Sequence, residues 1–174
     1  MKGETIMATV DIVMGSDSDL KVMAKAAEFL DEMAVSYDMR ILSAHREPEN
    51  FFLWAKEAEE RGTKVIIAGA GMAAHLPGMC AAISGLPVIG IPLSSKVLDG
   101  VDALYAILQM PPGVPVATMS LDGAKNGAIM AVEMLAMGDE TLKAKLKAYR
   151  QTMKDGVMKK DAKLQAIGYR AYIR

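Results

Sequence analysis

The chain has 174 residues, 52% hydrophobic and 24% charged, with a formal net charge of −1 at pH 7. That is the length and composition of one globular domain with a well-buried core. The charge excludes a strong pull toward nucleic acid or an anionic membrane, so any anionic ligand must be held by local groups.

Apolar runs alternate with amphipathic segments along the chain. Residues 9–14 (TVDIVM) read as a first strand, and residues 20–33 as a helix with Leu20, Met23, Ala24, Ala27, Leu30 and Met33 on one face. Residues 35–42 form the second strand. Residues 48–61 form a helix opened by Pro48 and followed by Gly62. Residues 64–68 are the third strand, and residues 73–83 a short buried helix bent or broken near Pro77. Strand four covers residues 87–91, a helix residues 101–109, strand five residues 115–121, and another helix residues 124–137. Each crossover is too long for a hairpin, so the sheet should be parallel with right-handed connections. Five such units predict a flavodoxin-like, doubly wound α/β/α sheet of order 2-1-3-4-5. A C-terminal helical extension follows this domain of residues 1–138. Residues 139–150 carry Leu142, Leu146 and Tyr149 on one stripe, residues 154–163 are basic and weakly patterned, and residues 167–174 turn apolar and aromatic again. The extension, residues 139–174, reads as an arm packing on its own or a neighbouring subunit.

Cys80 is the only cysteine, so neither an intrachain disulfide nor a multi-cysteine metal site is expected, in keeping with a cytoplasmic protein. Residues 1–7 show no signal-peptide pattern, and no apolar run approaches the roughly 20 residues of a membrane span. The fifteen methionines read as flexible fillers of the core and of subunit contacts.

Both histidines lie at strand exits, where α/β folds place their chemistry. The first exit, Gly15-Ser16-Asp17-Ser18-Asp19, has two open readings: plain helix capping, or a phosphate-and-sugar site in which Asp19 accepts from a diol. At the second, Ser43-Ala44-His45-Arg46, His45 is either a satisfied structural side chain or an acid–base group, and Arg46 either a surface partner of Glu47 or Glu49 or a forked phosphate ligand. The third is Ala68-Gly69-Ala70-Gly71-Met72-Ala73-Ala74-His75-Leu76, whose small residues let backbone groups approach a ligand. His75 there either orients substrate or bonds backbone. No Walker loop, dinucleotide fingerprint, nucleophile elbow or metal-spaced cluster occurs.

Residues 14–19 (MGSDSD), 43–49 (SAHREPE), 68–79 (AGAGMAAHLPGM), 86–93 (LPVIGIPL), 102–118 (DALYAILQMPPGVPVAT) and the segment around Lys125-Asn126 together resemble the 5-(carboxyamino)imidazole ribonucleotide mutases of bacterial purine (IMP) synthesis. The likeness covers roughly residues 9–135. It implies transfer of a carboxylate from an exocyclic nitrogen to ring carbon 4 of an aminoimidazole ribonucleotide, without metal or organic cofactor. It also implies a cytoplasmic homo-octamer whose C-terminal helices reach across subunits, with a small ribonucleotide as partner and neither nucleic acid nor membrane. His45 matches the catalytic acid–base and Arg46 the phosphate-binding arginine. Ser16 and Asp19 match substrate-binding positions, with Ser18, Ser43 and Ala44 as further contacts. Gly71, Ala73, Ala74, His75 and Leu76 match a loop that closes over base and carboxylate. Met72 departs from a glycine common in that loop and is expected to narrow the pocket. A related branch carboxylates aminoimidazole ribonucleotide directly with carbon dioxide, and tends to carry Lys after the histidine and Arg-Ser-Asn in the later loop. Arg46 and Met72-Ala73-Ala74 favour the mutase over that alternative; a non-catalytic nucleotide-binding module of the same fold is the other rival, marked by nucleotide binding without carboxyl transfer.

Overall fold

A computed structural model describes residues 8–173; residues 1–7, including the signal-peptide question, and residue 174 lie outside the described residues. Chain contacts divide it into a unit ending at Met134 and another beginning at Leu135.

The first unit is an open parallel sheet of order β2-β1-β3-β4-β5, made of β1 (Val10–Met14), β2 (Tyr37–Ile41), β3 (Val65–Gly71), β4 (Val88–Leu93) and β5 (Ala117–Thr118). Strands β1 and β4 are buried along their whole length, as apolar strands covered on both faces should be. The helices are α1 (Leu20–Met33), α2 (Pro48–Lys56), α3 (Leu76–Ser84), α4 (Val101–Leu108) and α5 (Ala124–Leu135). On one face Val13, Ile66, Ala68 and Val88 pack with Phe51 and Trp54 of α2, Leu76 and Cys80 of α3, and Ile107 of α4. On the other face Gly69 lies beneath Met23 of α1, and Gly127 of α5 beneath Ile89 and Ile91. This is the doubly wound arrangement expected from the alternating pattern.

Four of the differences from the sequence expectation have a local reason. Helix α2 stops at Lys56 rather than residue 61, because Arg61 Nη1 donates to the Trp54 carbonyl (2.7 Å), an acceptor that a longer helix would use. Strand β3 runs on to Gly71, since the small residues 68–71 continue the ladder opposite Gly90–Leu93. Pro77 opens α3 instead of bending it; in the first turn its missing N–H has no helical partner to lose. Strand β5 keeps only two residues, and its neighbours Met119 and Asp122 donate to the Gly90 and Pro92 carbonyls (both 2.9 Å).

In the second unit, α6 (Glu140–Tyr172) is helical without a break from residue 140 to residue 167, rather than a short helix followed by a weakly patterned segment. Asp139 caps it, accepting from the Thr141 and Leu142 N–H groups at 2.8 and 3.0 Å. The basic run holds Lys154, Met158, Lys159, Lys160, Ala162 and Lys163, all good helix formers, which outweigh Gly156 and the loose apolar spacing. Gly168 leaves helical geometry at φ 72° and ψ 159°. Among the described residues no helix is long and apolar enough to cross a membrane. Met14, Met23 and Met33 are core residues, while Met72, Met79, Met137, Met153 and Met158 are exposed.

Candidate active site

Strand register brings the candidate residues to one edge of the sheet. Met14 pairs with Ile41 and with Gly69, and Gly71 with Leu93, so the turns after β1, β2, β3 and β4 emerge side by side at the C-terminal edge. Order 2-1-3 places the switch point between β1 and β3, where such folds open a crevice. A cleft of about 630 Å³ lies there, within the range of roughly 300–1,000 Å³ usual for small-molecule sites.

The first turn contributes Gly15, Ser16, Ser18 and Asp19 to this cleft. Ser16 Oγ accepts from the Ser18 N–H at 3.4 Å and donates to Asp17, so its capping bond is long. Ser18 Oγ donates to Asp19 at 3.1 Å. Burial pushes the Asp19 carboxyl above its ordinary range, against the lowering effect of the Ser18 hydroxyl and the nearby Arg46 charge.

The second turn contributes Ser43, Ala44, His45 and Arg46. Arg46 Nε donates to Ser43 Oγ at 3.2 Å and its Nη2 to the Gly15 carbonyl, tying the first two turns together. Glu47 is occupied elsewhere, accepting from the Ser43 N–H at 3.3 Å and from Asn50 at 3.4 Å. The guanidinium is therefore held at the cleft by neutral acceptors, which leave its positive charge available to an anion.

The third turn contributes Ala70, Gly71, Met72, Ala73 and Leu76. Ala74 is buried beneath the turn, and His75 faces His45 instead of the cleft wall. His45 Nε2 and His75 Nδ1 are 2.9 Å apart, with ring planes at 86°. One nitrogen must donate and the other accept, so the two tautomers are correlated. Met72 sits at φ 55°, a backbone region natural to glycine, and its side chain is 56% exposed at the cleft rim. The cleft is open in the single chain.

A family model described as AIR carboxylase matches residues 9–156. The chain belongs to the AIR carboxylase family. It is 54% identical over 167 residues to an N5-carboxyaminoimidazole ribonucleotide mutase of Pyrococcus abyssi (strain GE5 / Orsay), covering 96% of each chain. It is 52% identical over 167 residues to a protein of the same name from Thermotoga maritima, covering 96% of this chain and 98% of that one. The crystal structure of Treponema denticola PurE superposes with a TM-score of 0.81 at 30% identity, covering 89% of this chain and 97% of that one.

In this AIR carboxylase family member the turn after β4 also lines the cleft, through Leu93, Ser94 and Ser95. Sequence reasoning passed over these two serines, although they directly follow a strand just as the other site residues do. Two other polar groups stand apart from the cleft. Asp11, 1% exposed, pairs with Arg61 at 2.9 Å near the opposite end of β1. Burial pushes the Cys80 thiol up, away from reactive thiolate. Among the described residues no group of three or more His, Cys, Asp or Glu is placed to hold a metal ion.

Proposed function

We propose that this protein converts 5-carboxyamino-1-(5-phosphoribosyl)imidazole to 5-amino-1-(5-phosphoribosyl)imidazole-4-carboxylate in purine (IMP) synthesis, with His45 as the acid–base. The observation that carries the reading is the His45–His75 pair at the mouth of a cleft that also holds Arg46 and Asp19.

With Nε2 engaged by His75, His45 meets substrate through Nδ1. If His75 Nδ1 accepts throughout, protonated His45 offers an Nδ1–H acid and neutral His45 an Nδ1 base, with no change in the bond between the rings. His45 first gives its proton to the carbamate nitrogen as the nitrogen–carboxyl bond breaks, releasing carbon dioxide beside the neutral aminoimidazole. The electrons of the ring then form a bond from carbon 4 to that carbon dioxide. His45 takes the proton from carbon 4 and aromaticity returns, so the enzyme ends in its starting protonation state. Holding both fragments in one cleft replaces an encounter with dilute gas.

The other roles follow the same turns. Arg46 takes the phosphate with a forked cation, Ser16, Ser18 and Asp19 the ribose and phosphate side, and Ser43, Ala44, Gly71, Ala73 and Leu76 the base and carboxylate. Ala74 and His75 act from behind, by packing and by orienting His45. No metal or organic cofactor is assigned.

Residues 1–138 carry catalysis and residues 139–174 form an arm between subunits of a cytoplasmic homo-octamer. Met153, Val157, Leu164 and Ile167 support this, because they leave an exposed apolar stripe on α6 that a second copy could cover. The exposed rings of the open cleft would gain a drier setting in such an assembly.

The test is a carboxyl-transfer assay on the carbamate substrate. Asparagine at position 45 should abolish turnover and leave ribonucleotide binding in place; near-normal rates would remove His45 from the chemistry. The family's own description keeps a second reading in view, and efficient use of aminoimidazole ribonucleotide with little bicarbonate would favour a direct carboxylase.

A further inference from the structure

The turn after β4 presents its hydrogen-bonding groups in a fixed sense. The Ser94 N–H donates to Asp122 Oδ1 at 2.9 Å, and the Ser94 hydroxyl donates to Asp122 Oδ2 at 2.6 Å. A carboxylate has acceptors only, so both Ser94 protons are committed to it. What remains on Ser94 Oγ, at the cleft wall, is acceptor capacity. The short bond is of the charge-assisted kind, which raises the negative character of the donor oxygen and strengthens the next bond in the chain. Ser95, beside it, uses its hydroxyl inside the turn, donating to the Val97 carbonyl at 2.7 Å and accepting from the Val97 N–H at 3.2 Å.

The arrangement is braced from two sides. The Asp122 N–H donates to the Pro92 carbonyl at 2.9 Å, and the residue holds φ 55°, a conformation that Asp and Asn tolerate better than most side chains. Gly100, at φ 84°, lies so close that a Cβ there would meet the Ser94 Cα at 2.9 Å and the Leu93 carbonyl oxygen at 3.1 Å. Neither Ser94 nor Asp122 can turn away without disturbing the ends of β4 and β5.

We propose that Ser94 accepts a hydrogen bond from an N–H or O–H of the bound ribonucleotide, and that Asp122 is the positioning residue that fixes Ser94 in this sense. The proposal rests on the cleft being the ribonucleotide site. Two groups of that ligand class can donate: the exocyclic amine of an aminoimidazole, and the ribose hydroxyls.

The experiment is titration calorimetry with 5-aminoimidazole ribonucleotide, with its counterpart lacking the amine, and with its counterpart lacking the ribose 2′- and 3′-hydroxyls. The variants are Ser94→Ala and Asp122→Asn. Asparagine keeps the size and the backbone tolerance of Asp122 and still accepts the Ser94 N–H. Its amide then donates to Ser94 Oγ and turns the hydroxyl proton into the cleft, so that donor meets donor. Each variant should weaken the full ligand by roughly tenfold, the loss of one hydrogen bond. Combining them should add nothing further, because one acts through the other. KM should rise more than kcat falls. The penalty should vanish for whichever counterpart lacks the donor that Ser94 meets.

Unchanged affinity in Ser94→Ala would overturn the proposal, and so would an equal penalty on all three ligands, the mark of a structural effect. Should Asp122→Asn fail to fold, Ser94→Ala decides alone. Arg46→Ala separates the two levels of the argument. If it weakens all three ligands while Ser94→Ala weakens none, the Ser94 proposal falls by itself; if neither matters, the reading of the cleft falls with it.

Discussion

In the proposed site, Asp19 joins burial to binding in a single side chain. Its carboxyl is pushed above the ordinary aspartate range by burial first, with Ser18 and Arg46 opposing. An acceptor for sugar hydroxyls works best ionised. Ligand affinity should therefore fall on acidification at a pH above that of an ordinary aspartate, and Asp19→Asn should remove that pH dependence. Titrating the ribonucleotide across the acid range reads both; an acid limb that survives in Asp19→Asn would assign it elsewhere. Met72 makes a different point. The left-handed backbone at its position explains why a glycine suits the loop, and a methionine there bears roughly 1 kcal/mol or more of backbone strain. The sequence marked the departure, and only the φ angle gives its physical meaning.

At the scale of elements, the buried Asp11–Arg61 pair joins β1 to the turn after α2. Arg61 also donates to the Trp54 carbonyl and lies over the Trp54 ring, with its carbon 5.3 Å from the centroid. Burial raises the Asp11 carboxyl despite Arg61. A folded-state value above the unfolded one gives stability that is complete below the ordinary aspartate value of 3.8 and is lost as pH rises through the folded value. Arg61→Leu removes the opposing charge, so the folded value rises further and the loss at neutral pH grows. Arg61 is 34% exposed, so the cost at neutral pH should sit near the low end for a broken buried pair, about 3 kcal/mol. It should shrink as the pH falls toward that of an ordinary aspartate. Urea melts at neutral and acid pH check this, and a cost independent of pH would mean the pair contributes by packing alone. The same residue accounts for the early end of α2, a boundary that periodicity cannot reveal because the competing donor comes from the helix's own continuation.

At the scale of the whole molecule, the exposed stripe on α6 gives the assembly prediction. Val157 is 66% exposed and Ile167 45%, so charge at these positions should leave the helix intact. The double variant Val157→Glu, Ile167→Glu should shift light-scattering mass from the proposed octamer toward smaller species with unchanged circular dichroism. A mass equal to that of the wild-type protein would take this stripe out of the interface. The sequence by itself determined the order of elements, the parallel sheet and the edge where the candidate residues gather, since these follow from apolar period, crossover length and small or polar residues after strands. It also marked His45, Arg46 and Asp19, which stand next to strand ends in the chain. Pairing between distant turns was decided only by the tertiary structure. His75 meets His45 from 30 residues away, and Asp122 meets Ser94 from 28. Such contacts depend on the register and spacing of neighbouring strands, which bring residues together across gaps that no local pattern in the chain records.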